Sequence, residues 1–115
     1  MARILVVDDQ PDTLLEMRIV LEAAGHEPVL AADADRATER LTATPIDLVL
    51  VDVAMPTGDG WAVLHAAARA KVPVVVVSSR ATPTQLKRAE EMGAATHLDK
   101  QAISVSLAAL VERMG

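Results

Sequence analysis

A single doubly wound α/β domain with a five-stranded parallel sheet is predicted for this 115-residue chain, and three observations predict it. Five short runs rich in Val, Ile and Leu alternate with amphipathic stretches from end to end. The runs are continuous rather than polar-alternating, as expected of strands covered on both faces. No linker, repeat or low-complexity segment interrupts the series. Strand–helix units in sequence imply parallel strands joined by right-handed crossovers. The length fits one domain, residues 1–115, and leaves no room for a second core.

The first strand is Arg3 to Val7, stopping at Asp8-Asp9. Pro28 to Ala32 is a weaker second, Ile46 to Val51 a third ending at Asp52, Pro73 to Val77 a fourth ending at Ser78-Ser79, and Ala95 to Leu98 a short fifth ending at Asp99-Lys100. Helices fill the intervals. Pro11 suits a first helical turn, where its missing N–H costs nothing; Leu14, Met17, Leu21 and Ala24 line one face, and Gly25 fits the stop. Asp33 or Asp35 can cap a second helix with Ala37 and Leu41 inward. Asp59-Gly60 opens a third, with Trp61, Leu64 and Ala68 inward. Thr82 before Pro83 starts a fourth that uses Leu86, Ala89 and Met92 and ends at Gly93. Leu107, Leu110, Val111 and Met114 give the last helix its stripe.

Composition excludes several classes. One Trp, no Phe and no Tyr leave the core to aliphatic residues, Met and Ala. A net charge of −5 is the wrong balance for a phosphate-binding surface, so direct nucleic-acid binding is not expected. Cysteine is absent, which removes disulfides and thiolate metal sites. Met1-Ala2-Arg3 running straight into the first strand is no signal peptide, and no apolar run approaches the roughly 20 residues of a membrane span. A cytoplasmic protein is expected.

The chemistry lies at the strand ends. In an open parallel sheet, reactive groups gather beyond the carboxyl edge, and here that edge collects Asp8, Asp9, Asp52, Ser78 and Lys100. Each alone has a plain reading: the acids as turn and cap residues, the serine as a turn former, the lysine as a solvated side chain. Their coincidence on four strand ends points further. Three neighbouring carboxylates repel unless a cation joins them, and oxygen-only ligands suit Mg²⁺. A carboxylate beside such an ion can attack phosphorus and become an aspartyl phosphate. Metal and ammonium would neutralise the phosphoryl oxygens, and the Ser78 hydroxyl could bond the new group.

These residues resemble the receiver family of bacterial two-component systems over the whole length. The matching segments are I-L-V-V-D-D-Q-P at 4–11, L-V-L-V-D-V-A-M-P-T-G-D-G at 48–60, P-V-V-V-V-S-S at 73–79 and G-A-A-T-H-L-D-K at 93–100. The resemblance implies a flavodoxin-like sheet of order 2-1-3-4-5. It implies a phosphoacceptor Asp52 served by a sensor histidine kinase or phosphotransfer protein. Mg²⁺ or Mn²⁺ would be ligated by Asp9, Asp52 and the Ala54 main-chain carbonyl, with Asp8 acting mostly through water. Ser78 and Lys100 would contact the phosphoryl group, and Ser78 with His97 would form the switch. The implied protein is a signalling switch rather than an enzyme, limited to its own phosphotransfer and autodephosphorylation. Gly58 and Gly60 independently suit a tight turn between strand and helix, and Met55-Pro56 holds the loop off helical geometry.

Two positions depart from the family pattern. His97 stands where an aromatic is usual, so either a pH-sensitive switch or a passive half-buried histidine fits. Gln101 stands where many members carry proline, and a Lys-Gln bond is trans. Ala54 and Arg80 occupy the positions that tune dephosphorylation in the family. A homodimer through the fourth helix, fifth strand and fifth helix is compatible with the resemblance. A dehalogenase-type phosphatase would want an acid where Ala54 stands, and a flavin binder would want a Ser/Thr/Gly-rich loop in place of Asp-Asp-Gln-Pro-Asp. A receiver that signals without phosphate would not need the acids and lysine. The chain closes on Gly115, leaving open whether an output domain follows.

Overall fold

The computed structural model describes residues 1–57 and 59–114. Strands β1 (Arg3–Val7), β2 (Glu27–Ala31), β3 (Leu48–Val51), β4 (Val74–Val77) and β5 (Thr96–Leu98) alternate with helices α1 (Pro11–Ala23), α2 (Ala34–Ala43), α3 (Asp59–Arg69), α4 (Pro83–Glu91) and α5 (Ile103–Met114). All neighbouring strands pair in parallel, in the order β2-β1-β3-β4-β5. This is the doubly wound, flavodoxin-like arrangement that the sequence predicts.

Successive strand residues point to opposite faces, and the aliphatic runs use both. Leu5, Val7, Val49, Val51, Val74 and Val76 pack under Ala37, Val63, Leu64, Ala67 and Ala89 of α2, α3 and α4. Ile4, Val6, Leu48, Leu50, Val75 and Val77 pack under Met17, Leu21, Ile103, Leu107, Leu110 and Val111 of α1 and α5. Burying each such side chain is worth about 1.5–3 kcal/mol, so two aliphatic layers suffice without an aromatic core.

Local signals set the helix ends. The Asp33 carboxylate accepts from Arg36 N–H at 2.8 Å and caps α2. Thr82 and Gln85 form a reciprocal capping box at 3.1 and 2.9 Å. Gly25 follows α1 with φ +87°, where a side chain would be strained. Several expected positions shift. Ala24 is exposed because α1 has already ended, and Ala68 is exposed because Val63 and Ala67 complete the inward stripe of α3 with Leu64. Strands three to five begin one or two residues later than their apolar runs, since Ile46, Pro73 and Ala95 belong to the approach loops. Trp61 is half-buried, and the Arg88 guanidinium sits 4.4 Å from its ring centroid, tying α4 to α3. Among the described residues no helix is long and apolar enough to cross a membrane.

Candidate functional site

The parallel register brings the reactive residues level. Val7 lies beside Val51, Val51 beside Val76, and Val77 beside Leu98. The ladder runs one step further: Asp52 N–H donates to Val7 O at 3.2 Å, Asp8 N–H to Ala31 O at 3.2 Å, and Ser78 N–H to Leu98 O at 3.0 Å. The backbones of Asp8, Asp52 and Ser78 are therefore part of the sheet. Their side chains emerge at its carboxyl edge from a rigid frame.

Asp8 and Asp52 divide their oxygens in the same way. Asp8 Oδ1 accepts from Gln10 N–H at 2.9 Å, and Asp52 Oδ1 accepts from Ala54 N–H at 2.8 Å. Each is a local turn in which an aspartate bonds the backbone two residues on. Both Oδ2 atoms are left to meet Lys100, whose Nζ lies 2.7 Å from Asp8 and 2.8 Å from Asp52. Lys100 arrives at the start of a single 3₁₀ turn, Lys100–Ala102, that leads straight into α5. Asp99 caps that turn through Gln101 N–H at 2.8 Å. Gln101 is thus accommodated where proline is common in the family.

The electrostatics are unbalanced. Asp8 is fully buried, Asp52 is 6% exposed, and one ammonium serves both. Burial pushes the Asp8 carboxyl above the ordinary carboxylate range, and the bonds from Lys100 and Gln10 N–H offset only part of that. Burial alone would lower the Lys100 ammonium, but the bonds and charges of Asp52 and Asp8 outweigh it and hold it above its usual value. The cation gains from two anions, while each anion has half a cation. Because folded Asp8 holds its proton more tightly than the unfolded chain does, the Asp8 contribution to metal-free stability falls as pH rises through the carboxylate range. Asp8→Asn leaves one carboxylate per ammonium. It is expected to raise metal-free stability at neutral pH by about 1 kcal/mol. Urea unfolding of both proteins across that range checks this, and the variant's profile is to be flatter.

Above the ion pair lies a cavity of about 80 Å³ lined by Asp9, Gln10, Asp52, Ala54, Ser79, Arg80 and Lys100, among others. Asp9 is exposed at its rim, whereas Asp8 sits beneath it. Among the described residues no three acidic or imidazole groups already converge tightly enough to hold a metal. The donor chemistry nonetheless suits a hard cation: Asp8 Oδ2 is buried and lacks an aligned hydrogen bond despite its ion pair, and every nearby acceptor is oxygen.

Ser78 is buried but does not line this cavity; Ser79 and Arg80 do. The Ser78 hydroxyl oxygen accepts from the N–H groups of Arg80 and Ala81, both at 3.2 Å. Together with exposed His97, Ser78 lines a neighbouring cavity of about 260 Å³ between the β4–α4 loop and β5. Of the expected site residues, the structure gathers Asp8, Asp52 and Lys100 in direct contact and sets Asp9 and Ala54 around the same opening. Ser78 and His97 share the adjacent one.

Two residues beside the site escape a reading of motifs. Gln10 reaches Lys100, as described below. Gly60 lies in the first turn of α3, and its Cα lies against the Asp52 loop. A Cβ there would overlap the Asp52 carbonyl oxygen and stand 2.8 Å from both Asp52 C and Val53 Cα. Gly58, expected to share that turn, lies outside the described residues.

The family model for the response regulator receiver domain matches residues 4–112. The chain belongs to that family. The receiver is 34% identical to the transcriptional regulatory protein PrrA of Mycobacterium leprae, covering 97% of this chain and 49% of PrrA. It is 32% identical to a gliding motility regulatory protein of Myxococcus xanthus, covering 97% of this chain and 15% of that protein. The receiver thus spans half or less of the length of these curated relatives. Among solved structures it superposes on a CheY-like receiver domain protein of Methanospirillum hungatei with TM-score 0.86 at 25% identity, covering 99% and 94% of the two chains. The Vibrio cholerae chemotaxis protein CheY4 shares its fold, with TM-score 0.90 at 24% identity and coverage of 100% and 99%.

Proposed function

We propose that this receiver accepts a phosphoryl group on Asp52 from a sensor histidine kinase or phosphotransfer protein, and that the modification switches a partner-binding face. The observation that carries the reading is the Lys100 ammonium set between Asp8 and Asp52 at 2.7 and 2.8 Å, under an opening to solvent. An Asp52 carboxylate oxygen bonds phosphorus as the donor's leaving group departs with the electrons of the broken bond. Lys100 holds positive charge beside the oxygens that gain charge. Ala54 N–H keeps the carboxylate oriented through Oδ1.

Mg²⁺ or Mn²⁺ fits Asp9, Asp52 and the Ala54 main-chain carbonyl, with Asp8 behind them, and when bound it supplies further positive charge to the transferring group. The protein acts as a switch rather than as an enzyme with turnover on a separate substrate. Ser78, now bonded to backbone N–H groups, and His97 across the adjacent cavity are the residues through which the change reaches α4 and β5. A cytoplasmic location accords with donation from a kinase.

Incubation with Mg²⁺ and phosphoramidate is expected to add one phosphoryl group by intact mass, and Asp52→Ala is expected to add none. An Asp52→Ala protein that labels as well as the parent overturns the assignment.

A further inference from the structure

The Lys100 nitrogen is surrounded by three oxygens: Asp8 Oδ2 at 2.7 Å, Asp52 Oδ2 at 2.8 Å and Gln10 Oε1 at 3.2 Å. The Gln10 contact is a hydrogen bond that Lys100 makes at the cavity both residues line, so a phosphoryl oxygen approaching Lys100 through that cavity competes with it. The Asp8 contact is buried and charged, and the Asp52 contact belongs to the nucleophile. Gln10 is neutral, has the longest contact, and lines the cavity from which the phosphoryl group must approach. Hydrogen bonds to neutral acceptors are about half as strong as charge-assisted ones, so this partner is the first to yield.

A second observation separates this contact from incidental packing. Gln10 is the N-cap residue of α1, where a short oxygen-bearing side chain would cap the helix, yet its side chain makes no capping bond. The amide oxygen instead accepts from Lys100 Nζ and, at 3.3 Å, from the Thr13 hydroxyl. Thr13 is buried in α1 and holds that oxygen in place. The backbone at Gln10 is fixed independently, through its N–H to Asp8 Oδ1. Substituting the side chain therefore costs the helix no cap and leaves the loop anchored.

We infer that Gln10 is a positioning residue that occupies the phosphoryl-oxygen site on Lys100 in the unmodified receiver and is exchanged for the phosphoryl oxygen on modification. It keeps the ammonium aimed into the cavity, and it competes with the incoming group. The inference rests on the phosphoacceptor reading and deepens it.

Two substitutions separate competition from mere support. Gln10→Met keeps the length and removes the acceptor, so labelling by phosphoramidate at saturating Mg²⁺ is expected to accelerate about two- to tenfold. Gln10→Glu substitutes a charged acceptor that yields less readily, and labelling is expected to slow about tenfold. Urea unfolding establishes that both variants are folded at the assay temperature. A labelled parent whose two variants both slow, or both match it, overturns this inference alone. A parent that takes no label overturns the phosphoacceptor reading, and this inference with it.

Discussion

Lys100→Met is expected to lower metal-free stability at neutral pH by about 3–5 kcal/mol, the usual cost of leaving a buried charge without its partner. The Lys100 side chain is only 11% exposed, and it is the cation that separates Asp8 from Asp52. Methionine keeps most of the stem's packing, so the loss reports charge rather than volume. A domain of this size has roughly 5–15 kcal/mol in all, so the variant sits near its limit at neutral pH.

The pH dependence is as diagnostic as the size. Burial already raises the Asp8 carboxyl with Lys100 present, and removing the ammonium raises it further. The folded variant then binds a proton that its unfolded chain does not, so its stability climbs as pH falls. Urea midpoints of parent and variant are therefore expected to converge in mild acid and separate above it. A gap that stays constant with pH would mean that Lys100 acts by packing alone.

Gly60→Ala reverses an ordinary rule. Glycine inside a helix costs about 1 kcal/mol relative to alanine, so propensity favours the substitution. Here the new Cβ overlaps the Asp52 carbonyl oxygen and crowds Asp52 C and Val53 Cα at 2.8 Å. These are backbone atoms tied into the sheet through the bond from Asp52 N–H to Val7 O, so no side chain can swing aside. Either α3 moves away from the sheet or the Asp52 loop does. The expected result is a loss of about 3 kcal/mol or more together with markedly slower labelling, because both responses move the Asp52 carboxylate away from Lys100. Urea unfolding and phosphoramidate labelling measure the two effects. Unchanged stability with unchanged labelling would show that the contact relaxes without consequence.

The two variants probe features of unequal legibility. Lys100 stands out in sequence because it follows the fifth strand in a chain whose first and third strands end in acids. Gly60 stands out only as a turn-forming glycine beside Gly58. Its closeness to Asp52 depends on how α3 docks over β3, which no local pattern encodes. His97 by sequence fits two readings, and in the structure it lines the cavity it shares with Ser78.

What the sequence determined by itself was the frame. Unbroken aliphatic runs mean strands covered on both sides, and serial strand–helix units mean parallel pairing. Parallel pairing places every strand's carboxyl end on one edge, so Asp8, Asp52, Ser78 and Lys100 had to meet there in some order. Tertiary structure alone decided the contacts within that meeting. It placed the ammonium on Asp8 rather than on its neighbour Asp9, made Gln10, 90 residues earlier in the chain, its third partner, and set Ser79 rather than Ser78 at the cavity. The reason is one of scale: periodicity and caps act over a few residues, whereas the choice among adjacent oxygens turns on differences of an ångström in how distant elements pack.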